Sequence, residues 1–257
     1  MKKEKQEQVF FYILIRSWRA FPYLYRCIES AVSQNYPQYK ILFIDDASDY
    51  HRSEKDYIRK ALRDHIAVFN KQRKHAVRNA FEIINQHVIN SQAVVVNLDG
   101  DDWFIDSNVL NYLAKIYQNE QCWFTYGNCK IWNQSLQAIN TIDIYANLPY
   151  SRKIMTNRTY RCEPFHCSHL RTWKTWLYKK IRKEDFLRPD GSWLQYAEDQ
   201  AIFYPMLEMG GDHGVAIKKP LSIYNVNSQN NDVKCAPLLL IRDELIIRKK
   251  KTYVPLA

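Results

Sequence analysis

Glycine is scarce in this sequence, with six residues among 257. Phosphate-binding loops of the glycine-rich, lysine-bearing kind need several glycines close together, because only glycine lets the backbone approach the phosphates so closely. No such cluster follows the first apolar segment. The sequence therefore disfavours a nucleotide site of that kind and leaves open the nucleotide-binding folds that lack this loop.

Metal-binding cysteine patterns and long apolar runs are also missing. The six cysteines form neither C-x-x-C pairs nor zinc-finger spacings, so we expect reduced thiols. No apolar run approaches the ~20 residues of a membrane-spanning helix. Because the charged N-terminus (Met1-Lys-Lys-Glu-Lys) runs directly into an apolar segment, we expect a cytoplasmic protein, with peripheral contact at an anionic membrane surface as an option.

Positive charge is in excess, since 37 Lys and Arg face 27 Asp and Glu and give a formal net charge of +10. This predicts an anionic partner, a class that includes nucleotide phosphates, nucleic acid and anionic membranes. The 46% hydrophobic and 14% aromatic fractions are typical of a folded protein. At this length we expect one domain over residues 1–257.

Apolar strand-like segments alternate with amphipathic helical segments through the first hundred residues. The strands are rich in β-branched residues and lack polar alternation, which is typical of strands buried on both faces. Such alternation predicts βαβ units and a doubly wound, mainly parallel sheet flanked by helices. The predicted strands are Val9–Ile15, Tyr39–Ile44, Ile66–Phe69 and Ala93–Leu98, and the predicted helices are Leu24–Val32, 53–64 and 76–90.

Three carboxylates, Asp99, Asp101 and Asp102, directly follow the fourth predicted strand. Like charges this close repel one another, and a divalent cation such as magnesium or manganese would remove the repulsion. An Asp-Gly turn with solvated charges explains the trio equally well when it is taken alone. The second strand also ends in acidic residues, Asp45 and Asp46, and the carboxyl ends of parallel strands meet at one edge of a sheet. This convergence favours a ligand site.

Five segments in order resemble glycosyltransferase family 2, whose members share the GT-A fold and transfer sugars from nucleotide sugars. The resemblance implies a nucleotide-binding half over 9–104, a smaller acceptor-binding half over 105–226, and a C-terminal lid, helix and basic tail over 227–257. It extends to Phe165-His-Cys-Ser-His-Leu-Arg171, similar to an acceptor-side segment, and to Glu198-Asp199, similar to a catalytic motif. The five segments are the strand end at Ser17-Trp18, Ser30-x-x-x-Gln34-x-Tyr-Pro37, Ile44-Asp-Asp-Ala-Ser48, Arg78-Asn-Ala80 and Leu98-Asp-Gly-Asp-Asp102.

The sequence departs from the family pattern at three places. Arg16 and Ser17 stand where a proline and a threonine are usual, and Ala47 replaces a common glycine or asparagine. Lys74-His75 stands where a glycine usually precedes the Arg-Asn pair. These changes are compatible with nucleotide binding and alter its contacts.

The resemblance implies a role for each acidic residue of the first half. Asp102 is expected to bind manganese or magnesium directly, with Asp101 assisting. Asp99 is expected at the ribose hydroxyls or at a metal-bound water. Asp46, with Asp45 as the competing candidate, is expected to accept a hydrogen bond from the base.

Three further residues are expected on the nucleotide side. Ser17 and Trp18 end the first strand, where the indole could stack on the base or pack in the core. Arg78 resembles an arginine that lies near the nucleotide, and its alternative is a solvated charge on a helix.

Asp199 is the expected general base, because an acceptor hydroxyl is a weak nucleophile at neutral pH. The alternative is that Glu198 and Asp199 only favour a helix N-terminus electrostatically. We expect His166 to contact the acceptor and leave His169 open. Several aromatic residues between 128 and 161 either shape the acceptor site or pack in the core: Trp132, Tyr145, Tyr150 and Tyr160.

The polar C-terminal segment has two interpretations. In the first, residues 227–236 form a lid that brings Lys234 to the diphosphate. In the second, they form a fixed connector that docks a helix over Leu238–Ile247 and leaves the basic run Arg248–Lys251 free to touch an anionic membrane. A solvated basic surface is the default for such a run.

The leading hypothesis is an inverting, metal-dependent glycosyltransferase that uses a UDP-sugar. Its acceptor would be a carbohydrate, lipid-linked or protein hydroxyl, and no nucleic acid is expected as a partner. The alternatives are a nucleotidyltransferase on a similar fold and a non-catalytic basic binding protein on a GT-A scaffold.

Overall fold

The computed structural model describes residues 8–21, 23–133, 138–140, 148–228 and 232–256. Its centre is one continuous sheet in the order β3 (Ile66–Phe69), β2 (Tyr39–Asp45), β1 (Phe11–Ser17), β4 (Val94–Asp99), β8 (Arg171–Lys174), β6 (Phe124–Asn133), β9 (Gly214–Asn225) and β5 (Trp103–Phe104), with β7 (Ala138–Asn140) paired to β6. The mixed α/β architecture confirms the predicted fold class. The sheet crosses the predicted boundary at residue 104, and the division into two functional halves stays a prediction.

The first half of the chain forms the parallel part of the sheet. Strand β1 pairs in parallel with β2 on one side and with β4 on the other, and β3 follows at the edge. The register places Arg16 beside Asp99 and Ser17 beside Asp45, so the two acidic strand ends meet as predicted. The elements are β1 (Phe11–Ser17), α1 (Leu24–Val32), β2 (Tyr39–Asp45), α2 (Arg52–Ala61), β3 (Ile66–Phe69), α3 (His75–His87) and β4 (Val94–Asp99).

The second half adds strands of both directions. Strand β8 pairs antiparallel with both β4 and β6, while β9 runs parallel to β6 and antiparallel to β5. The elements are β5 (Trp103–Phe104), α4 (Val109–Tyr117), β6 (Phe124–Asn133), β7 (Ala138–Asn140), α5 (Arg152–Asn157), β8 (Arg171–Lys174), α6 (Thr175–Tyr178), α7 (Glu198–Gly210), β9 (Gly214–Asn225), α8 (Asp232–Cys235) and α9 (Pro237–Arg248).

Apolar side chains cover both faces of the sheet. One cluster joins β1 and β4 to α3 and α7 through buried residues such as Leu14, Ile84 and Phe203. The other joins the opposite strand face to α1 and α4, with Ile13 and Leu110 at its centre. Burial on both faces accounts for the continuous apolar strands in the sequence.

The aromatic region after β6 divides between the core and the rest of the molecule. Tyr150 and Tyr160 are buried in the core and pack edge to face, with ring centroids 5.0 Å apart. Trp132 contacts Trp103 and Tyr23 instead. Tyr145 lies outside the described residues. Core packing therefore accounts for two of these rings.

Helix α9 is anchored by a buried carboxylate. Asp243 is fully buried and accepts hydrogen bonds from the Arg188 guanidinium and from the backbone N–H groups of Gln195 and Tyr196. In the basic run that follows, the side chains of Arg248 and Lys250 each donate to two backbone carbonyls. The default of a solvated basic surface is therefore wrong for these two residues. Within the described ranges, no helix has the length and apolar character needed to cross a bilayer.

Candidate active site

A cavity of about 520 Å³ opens at the carboxyl ends of β1, β2 and β4. This is the edge of an open α/β sheet at which ligands bind. The first turns of α3 and α7, the end of β9 and the helices α8 and α9 complete its walls. The predicted site residues among its lining are Ser17, Trp18, Asp46, Asp99, Asp101, Glu198 and Asp199.

The turn after β4 brings acidic oxygens close to an imidazole. One carboxylate oxygen each from Asp99 and Asp102 and one ring nitrogen of His169 lie within 4.8 Å of one another. The turn is tight at Gly100, whose N–H donates to the Arg16 carbonyl at 2.9 Å. A side chain there would place Cβ 2.8 Å from that carbonyl oxygen, which explains the glycine between the aspartates.

Asp102 and His169 are poorly solvated. Burial, with Asp101 and Asp99 nearby, raises the pKa of Asp102 well above its ordinary value. Burial and the neighbouring Arg171 lower the pKa of His169 to about 4. The imidazole is therefore neutral at neutral pH and has a lone pair available. Asp102 Oδ1 accepts the backbone N–H of Asn225, which fixes the carboxylate against β9.

Asp101 points to a different partner. It lies outside the group formed by Asp99, Asp102 and His169, and it forms a side-chain hydrogen bond with Ser228. Burial and the charge of Asp99 raise the pKa of Asp101. The expectation that Asp101 ligates the metal stays a prediction.

Arg16 joins the turn after β4 to the start of α7. Its guanidinium donates to Asp99 Oδ1 at 2.7 Å and forms an ion pair with Glu198. Burial alone would lower the pKa of Arg16, but the charges of Glu198 and Asp99 outweigh burial and raise it. The Glu198 carboxylate is thus paired with the Arg16 guanidinium, which gives it a structural role in the wall of the cavity.

Asp199 lies one residue further along α7 and has a different environment. Arg171, at the start of β8, donates to Asp199 Oδ2 at 2.8 Å, and the backbone N–H of Gln200 donates to Oδ1 at 2.8 Å. The Asp199 side chain keeps 31% of its surface exposed. It is therefore held in one orientation while an oxygen remains accessible from the cavity.

The end of β2 assigns different roles to its two aspartates. Asp45 accepts the backbone N–H of Ser48 and so stabilises the turn. Asp46 accepts the backbone N–H groups of Lys74 and His75, at 2.8 and 2.9 Å, and lines the cavity. Of the two, Asp46 is therefore the one placed to meet a ligand.

Ala47 and His75 adopt left-handed backbone conformations, with φ of 60° and 63°. The family pattern commonly has glycine or asparagine at position 47, and usually has a glycine where Lys74-His75 stands. Both residues carry a Cβ, which disfavours this conformation, so each of these departures adds local strain.

Trp18, which is expected on the nucleotide side, contacts the guanidinium of Arg73. The Arg73 guanidinium carbon lies 3.3 Å from the Trp18 ring centroid, and both residues line the cavity. Ser17 is buried, and its hydroxyl shares a 2.7 Å hydrogen bond with Tyr50. Arg78 does not line the cavity, because its side chain donates to Glu82, one turn later on α3.

Two acceptor-side candidates also lie away from the cavity lining. His166 stacks on Tyr150, with ring centroids 4.4 Å apart, and approaches the Leu148 carbonyl. Lys234 is exposed and donates to the Val226 carbonyl at 2.7 Å. From the same segment Ser228, Asp232 and Val233 line the cavity; residues 229–231 of the expected lid lie outside the described part of the chain.

The cavity is acidic although the chain is basic. Among the described residues, seven carboxylates and three arginines line it. Such a site repels a free diphosphate and attracts cations. A divalent cation fits the donor set of Asp99, Asp102 and His169, since carboxylates bind magnesium and manganese and an added imidazole suits the later transition metals.

Sequence reasoning missed three residues that organise the site, namely Arg16, His169 and Arg171. In the sequence, Arg16 stands out only as a departure from the family pattern, and Arg171 only as the end of a resembling segment. Each of the two arginines donates a hydrogen bond to a residue far away in the chain. The separation is 83 residues for Arg16 and 28 residues for Arg171. For Arg16 the available signal is a basic residue at a strand end, beside Asp99 on the neighbouring strand. Arg171 gives no such signal, because its acidic partner Asp199 lies on α7.

Comparisons with known proteins agree with this architecture. A profile described as Glycosyl transferase family 2 matches residues 12–182. No curated protein sequence matches the chain. Residues 1–349 of S. aureus TarS superpose with a TM-score of 0.58 and 14% identity, covering 84% of this chain and 60% of that one. A structure of the same TarS fragment in complex with UDP-GlcNAc gives 0.58, 12% identity, and 86% and 60% coverage.

A mannosyltransferase structure is similar to the same degree. The mannosyltransferase PcManGT of Pyrobaculum calidifontis, in complex with GDP-Man and Mn²⁺, superposes with a TM-score of 0.58 and 13% identity. The superposition covers 96% of this chain and 66% of that one. At these identities the likeness shows a shared fold, and the chain spans less than two thirds of each of these structures.

Proposed function

The chain belongs to glycosyl transferase family 2, and from that premise we propose that it transfers a sugar from a UDP-sugar to a hydroxyl acceptor with inversion. One observation carries the proposal. A single cavity holds the acidic turn after β4 and, on the first turn of α7, the oriented and accessible carboxylate of Asp199. A nucleotide sugar bound at the acidic turn would face a general base at Asp199.

A divalent cation is part of the proposal. Asp99, Asp102 and His169 would hold it, with Asp101 as a further candidate ligand. When bound, the cation supplies positive charge that stabilises the diphosphate leaving group. The carboxylates of Asp99 and Asp102 suit manganese as well as magnesium, and manganese, as a transition metal, also accepts an imidazole ligand.

Asp199 supplies the base in this mechanism. Its accessible carboxylate oxygen accepts the proton of the acceptor hydroxyl as that oxygen attacks the anomeric carbon. Arg171 holds the carboxylate in place throughout. A single displacement needs one base and no enzyme nucleophile, so it inverts the anomeric centre. The bond from the sugar to the diphosphate breaks as the new glycosidic bond forms.

Asp46, Trp18 and Arg73 supply the nucleotide side. The Asp46 carboxylate, fixed by two backbone N–H groups, can accept a hydrogen bond from a ring N–H of uracil. The Trp18 ring offers a stacking surface once Arg73 moves to the phosphates, where its positive charge would pair with their negative charge. Arg78 reaches the nucleotide in this proposal only if it leaves Glu82.

The two alternative functions fit the cavity less well. A basic binding protein needs a cationic surface, yet this cavity has an excess of carboxylates. Nucleotidyl transfer through a phosphate loop needs a lysine at the phosphates, and no lysine lines the cavity among the described residues. The acceptor class (carbohydrate, lipid-linked or protein hydroxyl) and the cytoplasmic location stay predictions.

Thermal unfolding with UDP and manganese tests the proposal. We expect UDP to raise Tm only when manganese is present, because the acidic cavity repels the free diphosphate. Asp102→Asn should remove this synergy while the fold is kept. His169→Ala should weaken it, and His166→Ala, three residues upstream and outside the cavity, should leave it unchanged. Equal stabilisation by UDP in EDTA would contradict the metal-bridged site.

A further inference from the structure

The last helices expose a concentration of large aliphatic side chains. Of the eleven exposed large hydrophobic residues in the described ranges, five lie between positions 233 and 245. Singly exposed apolar residues are ordinary, but a group of this kind on one short segment indicates an interaction surface. The five are Val233 (65% exposed), Leu238 (80%), Leu239 (39%), Ile241 (50%) and Leu245 (52%).

Three of these residues form a stripe along α9. Leu238, Ile241 and Leu245 have the spacing i, i+3, i+7, which places them on one face of an α-helix. Arg242 and Lys249 lie on the same side by helical spacing, since each is four residues after a member of the stripe. The Arg242 guanidinium also donates to Asp243 Oδ1 at 3.1 Å while 43% of its side chain stays exposed. Because Asp243 is shared with Arg188, this group of charges keeps a net positive charge. An apolar stripe with basic residues beside it is typical of helices that lie in the interface of an anionic bilayer.

The opposite face of α9 already holds the helix in place. Asp243 and Ile247 are buried at 0% and 1% exposure, and Asp243 accepts four hydrogen bonds from three residues of the segment before α7. Because this inner face fixes the helix, the outer stripe contributes little to folding. Its aliphatic residues can therefore be replaced without loss of the fold.

The same helices border the candidate active site. Asp232 and Val233 of α8 and Leu240 and Glu244 of α9 line the cavity. Glu244 also accepts a hydrogen bond from Gln200, the residue after the proposed base. The outer stripe and the cavity lining therefore occupy different faces of the same helix.

We propose that this outer surface of α9, defined by Leu238, Ile241 and Leu245 with Arg242 and Lys249, docks the protein on an anionic lipid bilayer. Charge selects the bilayer over a second copy of the chain, because two proteins of net charge +10 repel each other and an anionic surface attracts both. The docked helix brings the cavity beside the lipid headgroups. From this position we infer that the acceptor is lipid-linked, and this last inference rests on the proposed function.

Flotation with vesicles tests the docking without any assay of sugar transfer. We expect the protein to float with vesicles made of two parts phosphatidylcholine to one part phosphatidylglycerol and to remain behind with pure phosphatidylcholine. The triple variant L238S/I241S/L245S should lose at least tenfold in partitioning onto the anionic vesicles. The matched control is Ile89→Ser, which changes an aliphatic residue 87% exposed elsewhere and should bind like the parent.

The two exposed cysteines give a second measurement on the unaltered stripe. Cys235 ends α8 next to the proposed surface, while Cys162 is exposed in a 3-10 turn elsewhere. An environment-sensitive dye on Cys235 (in a Cys162→Ser protein) should shift to shorter wavelength with anionic vesicles. The same dye on Cys162 (in a Cys235→Ser protein) should not shift.

Three results would overturn the proposal. They are failure of the parent to bind anionic vesicles, equal binding by a folded triple variant, and a dimer in sedimentation analysis that the triple variant abolishes while vesicle binding is absent. Loss of sugar transfer has no bearing on these measurements. A failure of the docking and a failure of the proposed activity are therefore distinguishable.

Discussion

At the scale of single residues, Asp199 and Glu198 show how neighbouring carboxylates acquire different roles. Glu198 is 7% exposed and paired with the buried Arg16, whereas the Asp199 side chain is 31% exposed and held at one oxygen by Arg171. A carboxylate that is fixed but accessible suits proton transfer. A buried ion pair suits the cohesion of the site.

Replacing Asp199 with asparagine should separate binding from turnover. We expect the variant to keep the manganese-dependent Tm increase with UDP and to lose about 10²–10⁴-fold in kcat, the usual contribution of a general base. Sugar transfer and hydrolysis assays measure the loss. Asp64→Asn, at a side chain 82% exposed, is the control. Transfer at the parental rate would place the base at another residue, with Glu198 the first to test.

Replacing Ala47 with glycine, one of the two residues common at this position in the family pattern, should stabilise the protein. The φ of 60° at Ala47 strains any residue with a Cβ, and Ala47→Gly removes this strain while making the unfolded chain more flexible. We expect a net stabilisation of about 0.5 kcal/mol by chemical denaturation. Ala114→Gly, inside α4, should instead destabilise by about 1 kcal/mol or more. Destabilisation by both substitutions would show that the strain at Ala47 is smaller than the flexibility that glycine adds to the unfolded chain.

The acidic residues at the ends of β2 and β4 could be predicted from the sequence, because they directly follow apolar strands, whereas the expectation for Asp199 depends on its place in a family motif. Their partners could not, since Arg16, His169 and Arg171 reach them through contacts between distant parts of the chain. The position of Arg78 in a motif predicts a place at the nucleotide. The structure pairs it with Glu82, a contact at helical spacing that the sequence also contains.

At the scale of elements, periodicity predicted the first half of the fold closely. The third strand has the predicted bounds Ile66–Phe69, and the helix expected over 76–90 spans His75–His87. The antiparallel insertion of β8 between β4 and β6 was not predicted. Unlike the equally short β3, this strand begins and ends with a basic residue and so lacks an apolar run. Its place is set by pairing with β4, which belongs to the first half of the chain.

Helix α9 depends on Asp243, and its loss should be measurable. Burial opposes ionisation of Asp243, but hydrogen bonds from Arg188 and from two backbone N–H groups outweigh it and lower the pKa. Asp243→Asn leaves Arg188 without its carboxylate partner and should cost about 3 kcal/mol in the free energy of unfolding at pH 7. Urea denaturation measures this difference.

The effect of Asp243→Asn should depend on pH. A carboxyl group with a lowered folded-state pKa stabilises the protein above its unfolded pKa of roughly 4, and this contribution disappears as pH falls through the folded value. The parent should therefore approach the variant in stability only below about pH 4. The matched control Asp212→Asn, at an exposed carboxylate, should change the free energy of unfolding at pH 7 by less than about 0.5 kcal/mol. A difference that stays constant from pH 7 to pH 3 would contradict the ion pair.

At the scale of the whole molecule, the two halves share one sheet. Strand β4 of the first half pairs with β8, and β5 pairs with β9. We therefore expect a fragment of residues 9–104 to lack a cooperative thermal transition, while the full chain unfolds in one transition. Circular dichroism on both samples tests this. A fragment that melts cooperatively would establish the nucleotide-binding half as an independent folding unit.

The insertion of β8 also has a consequence during synthesis. Strand β4 ends at Asp99, but its second partner ends only at Lys174, so one edge of Val94–Val96 stays unpaired until that later strand has been made. At cellular translation rates this interval lasts roughly 4 to 15 s. An apolar open edge is a template for pairing with another nascent chain. Ribosomes crowded on one messenger would bring such edges together, and a chaperone that covers exposed strands has a defined substrate here until β8 emerges.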